Sequence, residues 1–137
     1  MVSVAAMQRH AAELCQQHEI DWHASQPRCE RSYALIDCRE IHTAPIRGAV
    51  SYGTALHEIG HIVGRYTDSR HVMTRETWAW RWARRNALIW TPAMQRSMDM
   101  SLAWYRPRAG RIDRRQARWP TVAEEMELPS PLLPPRV

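Results

Sequence analysis

The chain of 137 residues lacks several features that mark other classes of protein. No apolar run approaches the roughly 18 residues that a membrane-spanning helix needs, which argues against such a helix. The N-terminal segment MVSVAAMQRHAAELCQQHEI has no basic stretch followed by an apolar one, so no signal peptide is predicted. We therefore expect a cytoplasmic protein that has no membrane partner.

Cysteine is scarce, with only Cys15, Cys29 and Cys38 in the whole chain. Their number is odd and no two of them have the close CxxC spacing of a zinc knuckle, which disfavours a cysteine-based metal site. In a reducing compartment such residues are most simply free thiols. The sequence therefore predicts neither a disulfide framework nor a thiolate metal site.

Lysine is absent altogether: all 19 basic residues are arginines, and the formal net charge is +5. Arginine suits bidentate contacts with carboxylate or phosphate better than lysine does. The arginines cluster at positions 81, 84 and 85 and again at positions 106, 108, 111, 114, 115 and 118. A solvated face is the usual explanation of such clusters, and contact with nucleic acid or with an acidic partner is the alternative.

The hydrophobic pattern predicts an α+β fold. An apolar stripe at three- and four-residue spacing predicts a helix over residues 2–18, and alternation between residues 20 and 46 predicts short strands in a small antiparallel sheet. Helical spacing then returns in three segments, with Gly64 placed as a C-cap after the first of them. These segments are Ala49–Val63, His71–Ile89 and Pro92–Trp104. We expect one domain over residues 1–105 and a C-terminal extension rich in arginine and proline over residues 106–137.

The segment TALHEIGHIVGRYT, residues 54–67, has two histidines four positions apart and a glutamate beside the first. Positions i and i+4 of a helix project from the same face, so His57 and His61 can present two imidazoles to one zinc ion. Glu58 is displaced around the helix, where it can reach water at the metal without being a ligand. The alternative is an ordinary buried helix. Gly60 favours the metal site. A glycine inside a helix lowers its stability by about 1 kcal/mol relative to alanine, which makes sense where another chain segment must approach closely.

A catalytic zinc site usually has a third protein ligand, and several residues after His61 are candidates. The HExxHxxGxxH pattern would place it at Thr67, which is not a suitable ligand, and Asp68 is one position out of register. His71 lies at the expected start of the next helix and has no supporting pattern. These three positions are therefore weaker candidates than the one that follows them.

Glu76 is the strongest candidate for the third ligand. It lies fifteen residues after His61, early in the predicted helix that contains RETWAWRWARRNAL. Its helical face also carries Ala79, Trp80, Ala83 and Ala87, and small residues there would let this helix pack close to the HEIGH helix. A glutamate in the first turn could instead interact with the helix dipole alone.

TALHEIGHIVG followed by RETWAWRWARRNAL resembles the small gluzincin-type zinc metallopeptidases of the ImmA/IrrE kind, which are common in phages and mobile elements. The resemblance covers roughly residues 20–90 and implies a minimal zincin-like fold, in which a small sheet precedes the HExxH helix. It implies that His57, His61 and Glu76 bind Zn²⁺ and that Glu58 is the general base and acid. Such proteins are intracellular, and some cleave repressor-like DNA-binding proteins. The short loop before Glu76 and the tryptophan-rich helix depart from the family pattern.

Trp78, Trp80 and Trp82 alternate along the same predicted helix, so they cannot all face one side of it. Trp80 shares the face of Glu76, whereas Trp78 and Trp82 share another stripe. Core packing with a partly exposed edge is the ordinary explanation. A substrate-binding shelf beside the metal is the alternative.

These features together predict a zinc-dependent peptidase that hydrolyses a peptide bond in an intracellular protein. Tyr66 and His71, in the loop after the motif, are the residues that we nominate for stabilising the developing oxyanion. A second hypothesis is a zinc-containing binding protein without turnover, which contacts nucleic acid, a DNA-binding protein or a host protein through its arginines. A third is a metal-free helical adaptor.

Overall fold

The computed structural model describes residues 1–27 and 30–116. Its helices are α1 (Val4–Gln17), α2 (Ala49–Val63), α3 (Val72–Asn86), α4 (Pro92–Tyr105) and, after a 3₁₀ turn at Arg106–Arg108, α5 (Ala109–Gln116). Its strands are β1 (Asp21–His23), β2 (Tyr33–Leu35) and β3 (Glu40–His42). The α+β class predicted from the sequence is confirmed. Within the described ranges, no helix has both the length and the apolar character to cross a membrane.

The strands form a mixed sheet, not the wholly antiparallel one that the sequence predicted. The strand order is β1–β3–β2, in which β2 and β3 are antiparallel and β1 and β3 are parallel. A short turn, closed by a hydrogen bond from the Arg39 N–H to the Ile36 carbonyl, makes β2 and β3 a hairpin. The longer separation along the chain between β1 and β2 lets β1 pair on the other side of β3. Period-2 alternation is the same in both pairings, so the sequence pattern could not distinguish them.

Helix α2 is the centre of the fold and packs against α1, α3, α4 and β2. It lies within the residue range predicted from its apolar spacing, and Gly64 is its C-cap. Most of its residues are buried, including Tyr52, Leu56 and Ile59, which are fully inaccessible to solvent. Burial on nearly every side makes α2 a rigid platform, since interiors are packed to the density of organic crystals.

Helix α3 ends at Asn86, three residues before the end that the sequence predicted. Ala87 has an extended backbone, and the next amide, that of Leu88, donates a hydrogen bond to the hydroxyl of Tyr52 at 3.0 Å. The same hydroxyl lies 2.6 Å from Nδ1 of His10 in α1. A tertiary hydrogen bond therefore replaces the next helical one, which local periodicity cannot reveal.

The first part of the predicted C-terminal extension is helical and contacts the N-terminus of α3. The carboxylate of Asp113 in α5 accepts a hydrogen bond from the Val72 amide at 2.8 Å, and Gln116 accepts one from Arg75. A carboxylate at this position also complements the positive end of the α3 dipole. Residues 117–137, which include Arg118, and the cysteine at position 29 lie outside the described residues. The domain boundary at residue 105 therefore stays a prediction. Within the described residues, Cys15 and Cys38 form no disulfide.

Candidate metal centre

Three ligand atoms from two helices meet between α2 and α3. Nε2 of His61 lies 2.6 Å from Oε2 of Glu76, and Nε2 of His57 lies 3.5 Å from Oε1 of the same carboxylate. The ligand atoms of the three residues all lie within 4.8 Å of one another. Zinc binds nitrogen and oxygen at about 2.0–2.2 Å, so small side-chain adjustments suffice for all three to reach one ion.

The helical geometry explains how each side chain reaches this point. His57 and His61 lie on successive turns of α2, and their ring centroids are 4.5 Å apart. Glu76 comes from the early part of α3, which crosses α2 closely enough to deliver a short acidic side chain. The exposed fractions of His57, His61 and Glu76 are only 6%, 4% and 5%. Three titratable side chains are thus gathered in one site with little access to water.

One atom of this cluster is left unsatisfied. Nε2 of His57 is buried and makes no hydrogen bond of ordinary length with the described residues, since Oε1 of Glu76 lies 3.5 Å away. Leaving such an atom unpaired costs about 1–3 kcal/mol, which an ion at this position would relieve. Two imidazoles and one carboxylate are also the protein ligands of a known class of catalytic zinc site, which keeps a further position open. The residues present therefore fit Zn²⁺.

Neighbouring charges shift the pKa values of the imidazole and of the carboxyl in this cluster in opposite directions. Burial by itself lowers the pKa of His57, but the carboxylates of Glu76 and Glu58 outweigh burial and raise the pKa to about 9. Burial has the opposite effect on Glu76, where the charges of His61 and His57 outweigh it and hold the pKa of the carboxyl well below its ordinary value. The metal-free cluster therefore holds a carboxylate and a protonated imidazole near neutral pH, and an incoming cation replaces a proton.

Glu58 belongs to the same site without joining the three ligand atoms. It lines a cavity of about 300 Å³ whose wall also includes His57, His61 and Glu76. Its Oε2 atom lies 3.4 Å from Nδ1 of His57, the ring nitrogen opposite the one that faces Glu76. Among the described residues of the cavity wall, Glu58 is the one carboxylate besides Glu76. Glu58 therefore adds a second carboxylate to the cavity wall, beside the ring of His57.

Trp80 forms one wall of the site. Its indole stacks on the imidazole of His57, with centroids 4.1 Å apart and planes inclined by 12°. The sequence placed Trp80 on the face of Glu76, and both are buried on that face of α3. Trp78 and Trp82 lie elsewhere: Trp78 packs against Tyr66, and Trp82 meets the ring of His18 edge-on. Trp80 limits how the His57 ring can turn, which favours the orientation that a ligand needs.

The two residues nominated from the sequence for oxyanion stabilisation do not reach this cavity. Tyr66 is 51% exposed and packs against Trp78, and His71 precedes α3 with its ring 3.4 Å from Asp113. Neither is among the described residues that line the cavity. Both are close to the motif in sequence, but their side chains already pack or pair on other surfaces.

The other side of the cavity comes from segments that the sequence analysis did not connect with the motif. Tyr105 and Trp104 at the end of α4 line it, and Arg31 lies over the ring of Trp104 at 5.3 Å. Ser32, Ser97 and Ser101 complete this side, and Thr54 of α2 also lines the cavity. A pattern of serines and aromatics around α4 carries no motif that links it to His57, His61 or Glu76, so only packing could reveal these residues.

No family model, curated protein or solved structure matches this chain. The function of this chain is therefore inferred from the chemistry of the described residues. Two features carry most of this inference: the close approach of ligand atoms of His57, His61 and Glu76, and the carboxylate of Glu58 beside them.

Proposed function

We propose that this protein is a zinc-dependent peptidase of the HExxH type. The observation that carries the proposal is the convergence of ligand atoms of His57, His61 and Glu76, in which the buried Nε2 of His57 has no hydrogen-bond partner among the described residues. A merely structural cluster would be expected to satisfy that atom internally. The likeness of TALHEIGHIVG and RETWAWRWARRNAL to the ImmA/IrrE kind of metallopeptidase points the same way.

His57, His61 and Glu76 would hold the ion. Zinc in such a site supplies a Lewis acid that makes water nucleophilic near neutral pH. Glu58 accepts a proton as water attacks the scissile carbonyl and passes it to the leaving amine, since it is the carboxylate of the cavity wall that does not join the three ligand atoms. Trp80 keeps the His57 ring in place by stacking, and burial of the cluster strengthens each of these electrostatic interactions.

The space beside the cluster extends beyond the cavity at the metal centre. A second cavity of about 690 Å³ shares Ser32 and Thr54 with the cavity at the metal centre. It continues along the segment before α2, past Thr43 and Arg47. Two adjoining cavities that share lining residues leave room for a peptide segment, which supports a peptide or protein as the substrate.

The Glu58→Gln variant tests the reaction. We expect the zinc-loaded wild type to cleave β-casein or members of a fluorogenic peptide library, and Glu58→Gln to keep its zinc but lose cleavage by a factor of about 10² or more. Glu13→Gln, an exposed change on α1, is the matched control and should cleave like the wild type. Equal cleavage by the wild type and Glu58→Gln would refute the mechanism, and absence of cleavage by the zinc-loaded wild type would favour a binding protein instead.

A further inference from the structure

Two strands of the sheet carry a second group of metal-ligating side chains. β1 has the sequence DWH and β3 has EIH, so each places a carboxylate and an imidazole two positions apart. Residues two apart in a strand lie on the same face of the sheet. Because β1 and β3 are parallel and in register, Asp21 is paired with Glu40 and His23 with His42. All four side chains therefore lie together on one face, while Ile41 is buried on the other.

The ligand atoms on this face converge on one carboxylate oxygen. Oε1 of Glu40 lies 2.6 Å from Nε2 of His42 and 3.1 Å from Nε2 of His23. The same nitrogen of His23 lies 3.0 Å from Oδ2 of Asp21. Ligand atoms of His23, Glu40 and His42 all lie within 4.8 Å of one another, as they do in the site between α2 and α3. Two imidazole nitrogens and a carboxylate thus point into one small volume.

Ring stacking holds the two histidines in this arrangement. The imidazoles of His23 and His42 lie parallel, with centroids 4.5 Å apart and planes inclined by 4°. Tyr33, the β2 partner of His42, stacks on the other face of that ring at 4.6 Å. A row of three rings therefore restrains both Nε2 atoms, so little side-chain entropy remains to be lost when a cation binds.

We propose that His23, Glu40 and His42 form a second site for a divalent transition-metal ion such as Zn²⁺, with Asp21 beside it as a further oxygen ligand. Imidazole and carboxylate are the ligands that such ions take in proteins, and an exposed site of this composition exchanges its ion with solvent. The side chain of His23 is 43% exposed and that of His42 22%, in contrast with the almost inaccessible cluster on α2 and α3. The ion would join β1 to β3, each of which is three residues long.

Zinc titration of the full chain, stripped with a chelator, tests the site by calorimetry and by imidazole NMR. We expect the His23 and His42 resonances to shift together as one zinc equivalent binds. Glu40→Gln keeps the shape of the side chain but removes the charged ligand. It should weaken the binding of that zinc equivalent at least about tenfold, because even the loss of a residue that only supports a ligand typically weakens metal binding by that factor. His42→Ala should abolish it. His71→Ala removes an exposed histidine outside the cluster and should titrate like the wild type.

The second site is tested by variants at Glu40 and His42, which do not belong to the site between α2 and α3. The result is therefore independent of that other site. Loss of one equivalent in both Glu40→Gln and His42→Ala, with the far-UV circular dichroism unchanged, supports the second site. If both variants bind zinc as the wild type does, the group is only a hydrogen-bonded cluster. The same conclusion follows if the His23 and His42 resonances of the wild type do not move when zinc is added.

Discussion

A methyl group at Gly60 would lie 2.5 Å from the backbone carbonyl oxygen of Ala79, well inside van der Waals contact. The two helices thus touch backbone to backbone at the residue directly before His61. Glu76 precedes Ala79 by three residues and lies on the same face of α3. The absence of a side chain at Gly60 is therefore what allows a glutamate to reach the two imidazoles.

Gly60→Ala should separate α2 from α3. Because the obstacle is backbone and cannot rotate away, we expect a loss of unfolding free energy of about 1–3 kcal/mol together with weaker zinc binding. Gly53→Ala is the matched control in the same helix, since its new methyl group would meet the flexible end of Met94 at 3.2 Å. Urea unfolding and zinc titration of both variants measure the difference. Equal behaviour of the two variants would contradict the role assigned to Gly60.

Metal analysis of His57→Ala and Glu76→Ala tests the ligand set between the helices. Each variant should lose the tightly held zinc, because two remaining ligands rarely retain an ion that three hold. Zinc bound at the sheet should be unaffected and serves as an internal control for folding. Loss in His57→Ala but full retention in Glu76→Ala would move the third ligand to another residue.

The unfolding free energy of the metal-free protein should depend on pH through His57. Its pKa is raised from 6.5 to about 9 on folding, so the folded state binds this proton more tightly than the unfolded state. The resulting stabilisation is fully present below about pH 6.5 and is lost as the pH rises through about 9. Urea unfolding in the presence of a chelator at pH 6.5 and pH 9.5 measures the loss. His57→Gln should show a smaller decrease over the same range; an equal decrease would assign the effect to other groups.

Tyr105→Phe tests the wall of the cavity opposite α2. If the hydroxyl of Tyr105 helps to stabilise the oxyanion, its removal should lower kcat by about 10²–10³ and leave zinc content unchanged. Tyr66→Phe is the control, because Tyr66 is half exposed and packs on Trp78 away from the cavity. Steady-state kinetics of both variants on the same peptide compares their losses in kcat. A greater loss in Tyr66→Phe would restore the assignment made from the sequence.

Sequence alone determined those parts of the site that depend on local periodicity. The four-residue spacing of His57 and His61 guarantees a common helical face, and the small residues after Glu76 indicate a helix that packs closely. The bounds of α2 and the face of Trp80 follow from the same 3.6-residue period. These predictions succeeded because a helix fixes the direction of each side chain without help from the rest of the chain.

Tertiary structure decided everything that depends on strand pairing and on residues distant along the chain. The alternation that predicts β1 and β3 is the same for parallel and antiparallel neighbours, so the pairing of His23 with His42 was not foreseeable. Tyr105 joins the cavity only because α4 packs against α2 and α3. Short-range patterns report the local backbone, whereas sites assembled from separate elements depend on how those elements pack, which no short segment of sequence encodes.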